Sequence, residues 1–120
     1  GESSIEVWGT GNPRREFLHV DDLADATIFA LCNYDGEEHL NVGVGEDISI
    51  RELAELIAEI VGWEGELEFD ASMPDGTPRK LLDVAKLKSL GWSASIGLRQ
   101  GIRDTYEWYL RNRELAEAVG

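Results

Sequence analysis

The spacing of apolar residues divides the chain into short strands separated by longer helices. Apolar residues at every second position, or in short runs, predict strands at residues 5–8, 17–20, 40–44 and 67–69. Apolar residues that recur every three to four positions follow these runs and predict helices. The alternation predicts an α/β fold, and the length of 120 residues corresponds to a single domain, residues 1–120.

The first helix is predicted over residues 21–33, with Asp21 as its N-cap. One side of this helix is apolar over an unusually wide arc, which comprises Leu23, Thr27, Ala30 and Leu31 and, at its edges, Ala26, Ile28 and Phe29. A surface helix needs only a narrow apolar stripe. The wide arc therefore predicts a helix buried between two layers.

The second helix has the clearest start and stop signals of the chain. Ser49 and Glu52 have the spacing of a capping box, and Gly62 stands where a helix commonly ends. A short third helix is predicted over residues 83–91. The last helix is amphipathic and begins near residue 98.

The acidic composition limits the classes of partner. The chain has 11 basic and 24 acidic residues, so its net charge is −13. Such a charge argues against nucleic acids and anionic membrane surfaces as partners. A salt-adapted source is an alternative origin of the acidity. No apolar run reaches the length of a transmembrane helix, and a soluble protein is expected.

Cysteine usage and the chain ends add three expectations. Cys32 is the only cysteine, so no intrachain disulfide can form and a reducing, cytoplasmic location is expected. Within the first helix, Cys32 is interpreted as an inert core thiol. Residues 1–4 are interpreted as a remnant of cloning, and residues 113–120 as a tail that frays.

The first segment with candidate chemistry covers residues 8–22. It places an indole (Trp8) and two guanidinium groups (Arg14 and Arg15) around a turn rich in Gly, Asn and Pro. A guanidinium group matches the oxygens of a phosphate, and an indole offers an apolar face to a ring. On residue types alone, a solvated basic pair is an equally good interpretation.

The second segment covers residues 74–83. It carries the carboxylate of Asp75 on a turn bounded by two prolines, and then a second basic pair, Arg79 and Lys80. Prolines reduce the entropy that a loop loses when it is fixed, which suits a loop that holds a ligand. Here too, a basic pair exposed to solvent is the plainer interpretation of the residues by themselves.

Three ordered motifs connect these segments to a known family. They are Val-Trp-Gly-Thr-Gly-x-Pro-x-Arg-Glu-Phe-Leu-His-Val-Asp-Asp at 7–22, Asn-Val-Gly-x-Gly at 41–45, and Pro-Asp-Gly-Thr-Pro-Arg-Lys-Leu-Leu-Asp at 74–83. They resemble those of extended short-chain dehydrogenases that act on nucleotide sugars, the NAD-dependent epimerase/dehydratase family. The third motif is the most selective and is characteristic of members that act on GDP-sugars.

The resemblance implies the C-terminal, substrate-binding part of an extended short-chain dehydrogenase, without its N-terminal Rossmann half. Matched position by position, the family's GDP-sugar contacts fall on Trp8, Arg15 and Asp75, with Lys80 or Arg79 near the diphosphate. The parent enzyme would epimerise GDP-4-keto-6-deoxymannose at two carbons and then reduce the ketone with NADPH. It would act as a homodimer.

The resemblance also implies that NADP(H) and the catalytic groups belong to the other part of the enzyme. The family's Gly-x-x-Gly-x-x-Gly turn and its Tyr-x-x-x-Lys pair do not occur in these 120 residues. His19 and Cys32 do not match the family's acid/base pair, and His19 is interpreted as a partly buried structural residue. No catalytic residue, cofactor or metal ion is expected for this chain, and the chain alone is expected to be inactive.

Two alternatives stay open. Another nucleotide-sugar epimerase or a 4,6-dehydratase would carry the first motif equally well. A non-catalytic acidic module would bind a protein partner through its helices and leave both basic pairs in solvent. Under the family interpretation, the isolated chain is expected to expose Ile28, Phe29 and Val42, and therefore to self-associate.

Overall fold

Strands and helices alternate along residues 3–120, the part of the chain that the computed structural model describes. Residues 1–2, which belong to the segment interpreted as a cloning remnant, lie outside the described residues. The strands are β1 (Ser4–Trp8), β2 (Arg14–Arg15), β3 (Ile48–Ser49), β4 (Glu66–Asp70) and β5 (Arg79–Lys80). The helices are α1 (Val20–Asn33), α2 (Ile50–Val61), α3 (Ala85–Leu90), α4 (Leu98–Arg111) and α5 (Arg113–Val119). The predicted α/β fold is confirmed.

The strands form two small sheets. In the first, β1 and β4 are parallel, with Val7 opposite Phe69 and Trp8 opposite Asp70. Both strands were predicted from their alternating residues, and both are confirmed. The second sheet has the order β3-β2-β5, in which β2 is antiparallel to β3 and parallel to β5.

Two predicted strands are wrong. Residues 17–20 and 40–44 are not strands, and the chain instead pairs at Arg14–Arg15, just before the first apolar run. The side chains of Leu18, Leu40 and Val42 pack against the hydrophobic core without a hydrogen-bonded partner strand among residues 3–120. An apolar run thus marks burial, and burial alone does not make a strand.

Helix α1 begins one residue earlier than predicted, and its N-cap is His19 rather than Asp21. The Nδ1 atom of His19 accepts a hydrogen bond of 3.0 Å from the backbone N–H of Asp21. The imidazole is largely buried, with 11% of the side chain exposed, which confirms the partly buried, structural role predicted for it. Asp21 itself points to solvent, and the next residue, Asp22, is buried.

The core of the described residues is small and lies on one side of α1. It is formed by Ala26, Leu87 and Trp92, and the partly buried side chains around it include Phe29 and Val42. The indole Nε1 of Trp92 donates to the Asp25 carboxylate at 2.8 Å, which holds the ring against α1. The expectation that Phe29 and Val42 are exposed is therefore wrong.

The other side of α1 is open to solvent, so the prediction of a helix buried between two layers is wrong for the described residues. Leu23, Ile28 and Leu31 are 47%, 62% and 78% exposed. Cys32 is also exposed, and the prediction of a core thiol is wrong. The periodicity identified an apolar surface correctly, but no element among residues 3–120 covers it.

Helix α2 has well-defined ends and is joined to α4 by an ion pair. Ser49 is the N-cap, as predicted, because its Oγ accepts from the N–H of Glu52. The Glu52 carboxylate accepts from the Ser49 hydroxyl, whereas in a full capping box it would accept from the Ser49 N–H. Gly62 ends α2 in the left-handed region, as predicted. Arg99 on α4 makes a bidentate ion pair with Glu59 on α2. No helix between residues 3 and 120 has the length and apolar character that crossing a bilayer requires.

Candidate functional site

The turn after β1 is built on glycine and is held by the start of α2. Gly11 has a φ of +80°, and a side chain there would meet the Phe69 ring at 2.7 Å. The backbone N–H groups of Ile50 and Arg51 donate to the carbonyls of Pro13 and Gly11, both at 2.9 Å. These N–H groups would otherwise lack partners at the helix start. The turn therefore has one conformation, fixed against a helix.

Asp75 connects this turn to the third motif. Its carboxylate accepts from the backbone N–H of Thr10 at 2.6 Å and from the Thr10 hydroxyl at 2.8 Å. Both Asp75 oxygens thus accept hydrogen bonds from Thr10, a residue that lies 65 positions earlier in the sequence. The predicted contact of Asp75 with a nucleoside stays a prediction. In the described residues, this carboxylate joins two loops.

Glu16 joins all three motifs, and the sequence interpretation missed it. The Glu16 carboxylate accepts from the N–H of Gly45 at 2.6 Å and from the N–H of Leu82 at 3.3 Å. Gly43 allows this approach, because a side chain at that position would lie 2.7 Å from the carboxylate. The only sign of this contact in the sequence was the glycine pair of the second motif, which leaves room for a carboxylate from another segment.

Asp47 binds one arginine from each basic pair. The Nε atom of Arg14 donates to Asp47 Oδ1 at 2.9 Å, and the Nε atom of Arg79 donates to Asp47 Oδ2 at 2.6 Å. The Asp47 side chain is 6% exposed, although both arginines reach solvent. The hydrogen bond from Arg14, followed by that from Arg79, holds the pKa of Asp47 below its ordinary value against the effect of burial. Asp47 is therefore ionised near neutral pH.

The pairing of β2 with β5 brings the other two basic residues together. In this parallel ladder Arg14 is opposite Arg79, and Arg15 is opposite Lys80. Side chains alternate between the two faces of a strand, so the ladder separates an Arg14–Arg79 face from an Arg15–Lys80 face. No ion pair joins Arg15 or Lys80 to a carboxylate within residues 3–120.

An open cavity of about 540 Å³ lies beside these strands, lined by Arg15, Glu16, Arg79, Lys80, Leu81 and Leu82. Three of the five predicted site residues therefore line one space. Its volume lies in the range of small-molecule sites, about 300–1,000 Å³. Gly76, from the proline-bounded turn, is also close, because a side chain there would lie 3.7 Å from Arg15 Nη2.

Trp8 stands at the end of β1, immediately before the turn. Its side chain is 66% exposed, and its indole Nε1 donates to the Glu6 carboxylate at 2.8 Å. The hydrogen bond orients the ring without covering it. An exposed, oriented indole can stack on a planar or sugar ring.

A buried carboxylate stands at the end of the first motif. Asp22 is 3% exposed and accepts from the N–H of Ile96 at 2.9 Å and from the N–H and hydroxyl of Ser95. Burial by itself would raise the pKa of Asp22, but the hydrogen bonds from Ile96 and Ser95 outweigh it and hold the pKa below its ordinary value. With every donor directed from a loop of the same chain, Asp22 is a structural residue that fixes α1 against the segment before α4.

Comparison with known proteins places these motifs in context. The family model for the NAD dependent epimerase/dehydratase family matches residues 1–43. GDP-L-fucose synthase 1 of Arabidopsis thaliana is 59% identical over 112 residues, which cover 93% of this chain and 35% of that protein. The predicted resemblance is confirmed. The chain spans about a third of the length of such relatives.

Solved structures agree with the sequence comparison. A GDP-6-OMe-4-keto-L-xylo-heptose reductase from C. jejuni has a TM-score of 0.86 and 45% identity, covering 92% of this chain and 34% of that one. A GDP-L-fucose synthetase from Naegleria fowleri bound to NADP has a TM-score of 0.87 and 31% identity, covering 92% of this chain and 36% of the other. The described fold is thus part of the fold of these enzymes, as the resemblance implied.

Metal ions require sets of ligand side chains that lie close together. Among the residues that the structure covers, no group of three or more His, Cys, Asp or Glu side chains is arranged to hold a metal ion. The residues around Arg15 and Lys80 offer positive charge to an anion.

Proposed function

We propose that this chain forms part of the nucleotide-sugar site of a GDP-L-fucose synthase-like enzyme and binds the diphosphate of a GDP-sugar through Arg15 and Lys80. The single observation that carries the proposal is the β2–β5 register, in which these two cations are neighbours. Neither is neutralised by a carboxylate within residues 3–120. A diphosphate carries the complementary charge, and a guanidinium group can bind two of its oxygens.

The other predicted residues have supporting roles in this proposal. Trp8 packs its exposed face on the base or the sugar. Asp75 holds the turn at Thr10, and its remaining lone pairs can accept from a ribose hydroxyl or a base amine. Arg79 also borders the cavity, but its guanidinium group is paired with Asp47, which offsets its charge. Lys80 rather than Arg79 is therefore the partner of Arg15 at the diphosphate.

The parent enzyme would epimerise and reduce GDP-4-keto-6-deoxymannose with NADP(H) in the cytoplasm. The GDP-sugar enzymes among its relatives support this substrate class. In such a reaction this chain would bind and orient the nucleotide, since binding energy from the non-reacting part of a substrate helps to position the reacting carbon atoms. We expect the chain alone to show no ketone reduction and no tight binding of NADPH.

The test is a calorimetric titration of the chain with GDP, UDP, dTDP and inorganic pyrophosphate. The proposal predicts binding of GDP that is tighter than binding of UDP or dTDP, and that weakens as the salt concentration rises. Equal affinity for the three nucleotides would favour another nucleotide-sugar epimerase or dehydratase. The absence of any response would favour the acidic interaction module and contradict the proposal.

A further inference from the structure

The Asp47 carboxylate, whose side chain is 6% exposed, contacts both strands of the proposed diphosphate site through their side chains. Its oxygens are divided between Arg14 of β2 and Arg79 of β5, at 2.9 and 2.6 Å. Its backbone carbonyl accepts a further hydrogen bond from Arg14 Nη2 at 3.4 Å. Asp47 lies outside all three motifs, directly before β3, and so connects β2 and β5 from one side of the sheet.

The two arginines would repel one another without this carboxylate. Arg14 and Arg79 are directly opposite in the β2–β5 ladder, and like charges in that arrangement destabilise strand pairing. The ladder is only two residues long on each strand, so few backbone hydrogen bonds hold it. The ion pairs with Asp47 convert a repulsive pair into a bridge between the strands.

The same bridge determines the direction of the neighbouring side chains. Alternation along each strand starts Arg15 and Lys80 on the face opposite to the one on which Asp47 binds Arg14 and Arg79, and the two side chains then line one cavity, which Arg79 also borders. Glu16 reinforces this arrangement, since its carboxylate is bound to Gly45 and Leu82. Arg15 is thus flanked on both sides by residues that are held within the chain.

We propose that Asp47 is the positioning residue of the diphosphate site, which binds Arg14 and Arg79 so that Arg15 and Lys80 face the ligand side by side. The inference rests on the proposed function. Asp47 does not touch the diphosphate. It acts through the register of β2 and β5, and its role can be separated from that of a simple negative charge near the site.

Electrostatics alone gives the opposite expectation, which makes the test decisive. Removing a negative charge near an anion site should tighten anion binding, because repulsion is lost and Arg14 and Arg79 are released. Positioning predicts weaker binding. The matched control is Glu46→Gln, which removes the same charge from the adjacent residue. Glu46 is exposed and has no ion pair within residues 3–120.

The experiment measures GDP affinity by calorimetry for the wild-type chain, Asp47→Asn and Glu46→Gln. We expect Asp47→Asn to weaken binding about tenfold and Glu46→Gln to leave it within about twofold. Near-UV circular dichroism verifies that each variant is folded. If Asp47→Asn does not fold, Arg79→Gln replaces it, since glutamine can still donate to Asp47 but leaves the carboxylate with one cation. A loss of about threefold is then expected, half of the Asp47 effect on the free-energy scale.

A second measurement distinguishes positioning from general damage. In the Arg15→Ala/Lys80→Ala background, Asp47→Asn should cause no further loss of GDP affinity, because its effect passes through those two side chains. Unchanged or tighter binding by Asp47→Asn overturns the inference, and so does an additive loss in the double-variant background. If Arg15→Ala/Lys80→Ala binds GDP as the wild type does, the proposed function fails as well.

Discussion

The two faces of strand β2 present the same kinds of charged residue in opposite settings. On one face, Arg14 and Glu16 are bound to groups that lie 33 and 29 residues away, at Asp47 and Gly45. On the other face, the guanidinium group of Arg15 donates to the adjacent Arg14 carbonyl and lines an open cavity. Arg14 and Glu16 have their charges satisfied within the chain, and Arg15 has charge available for a ligand, even though Glu16 borders the same cavity.

This difference separates structural from binding residues better than residue type does. A charged group that is buried and hydrogen-bonded stabilises the fold, and its removal leaves partners unsatisfied. A charged group without a partner contributes little to folding and can interact with a ligand. Each substitution below alters a defined group of the chain, and the measurement shows whether the free energy of unfolding or the affinity for a ligand changes.

The largest effect on stability is expected at Asp22. Replacing Asp22, which is buried, with Ala leaves the N–H of Ile96 and the polar groups of Ser95 without their acceptor. We expect the free energy of unfolding to fall by about 3 kcal/mol. The matched control is Asp21→Ala, which removes an exposed carboxylate and should cost less than about 0.5 kcal/mol. Chemical denaturation measures both, and equal losses would contradict the structural role.

The contribution of Asp22 to stability should also depend on pH. Because the folded-state pKa of Asp22 is lowered, its stabilising contribution is fully present above the ordinary unfolded pKa of about 3.9. That contribution is lost as the pH falls below this value and through the folded-state pKa. Asp22→Asn should therefore flatten the decline in stability below about pH 4. Denaturation midpoints for wild type and Asp22→Asn from pH 6 to pH 2 provide the test, and parallel curves would refute the assignment.

A smaller effect is expected where the first and third motifs meet. Asp75→Ala should weaken GDP binding about fivefold and pyrophosphate binding less, since its proposed ligand contact is to the nucleoside. Thr10→Val removes the hydroxyl that donates to Asp75 but keeps the backbone N–H. If Asp75 only holds the turn, each variant should weaken the binding of GDP and of pyrophosphate to the same degree. A loss in Asp75→Ala that is larger for GDP than for pyrophosphate indicates a direct nucleoside contact, and no loss in either variant contradicts both roles.

The smallest effect on stability is expected on the open face of α1. Replacing Ile28 and Leu31 together with Gln should change the free energy of unfolding by less than about 0.5 kcal/mol, because both side chains are mainly exposed. The same change should reduce self-association without altering the net charge. Sedimentation velocity over a range of concentrations measures the association. A wild-type chain that stays monomeric at high concentration contradicts the prediction.

Local signals were enough to predict the elements that depend on neighbouring residues. The N-cap at Ser49 and the glycine at Gly62 define α2, and alternating residues define β1 and β4. The strands predicted at 17–20 and 40–44 failed because an apolar run cannot reveal whether a partner strand exists. The apolar arc of α1 was recognised, but periodicity cannot tell whether another element covers it.

The candidate site was predictable only in part, for the same reason. The motifs pointed to Arg15, Arg79 and Lys80, which line one cavity. They did not point to Asp47, because the carboxylate that binds Arg14 lies 33 residues away and outside any motif. The sequence does carry one signal that the two basic pairs are divided. Consecutive residues of a strand start on opposite sides, which favours different partners for the two members of each basic pair.

The central claim is tested most directly by two neighbouring residues of β2. GDP affinity is measured by calorimetry for Arg15→Ala and Arg14→Ala, which remove the same group from opposite faces of one strand. The account predicts that Arg15→Ala weakens binding by about 1.5–3 kcal/mol, the usual range for a hydrogen bond to a charged group. Arg14→Ala should weaken it by at most about threefold, because Arg79 keeps Asp47 in place. Equal losses, or a larger loss for Arg14→Ala, would contradict the account.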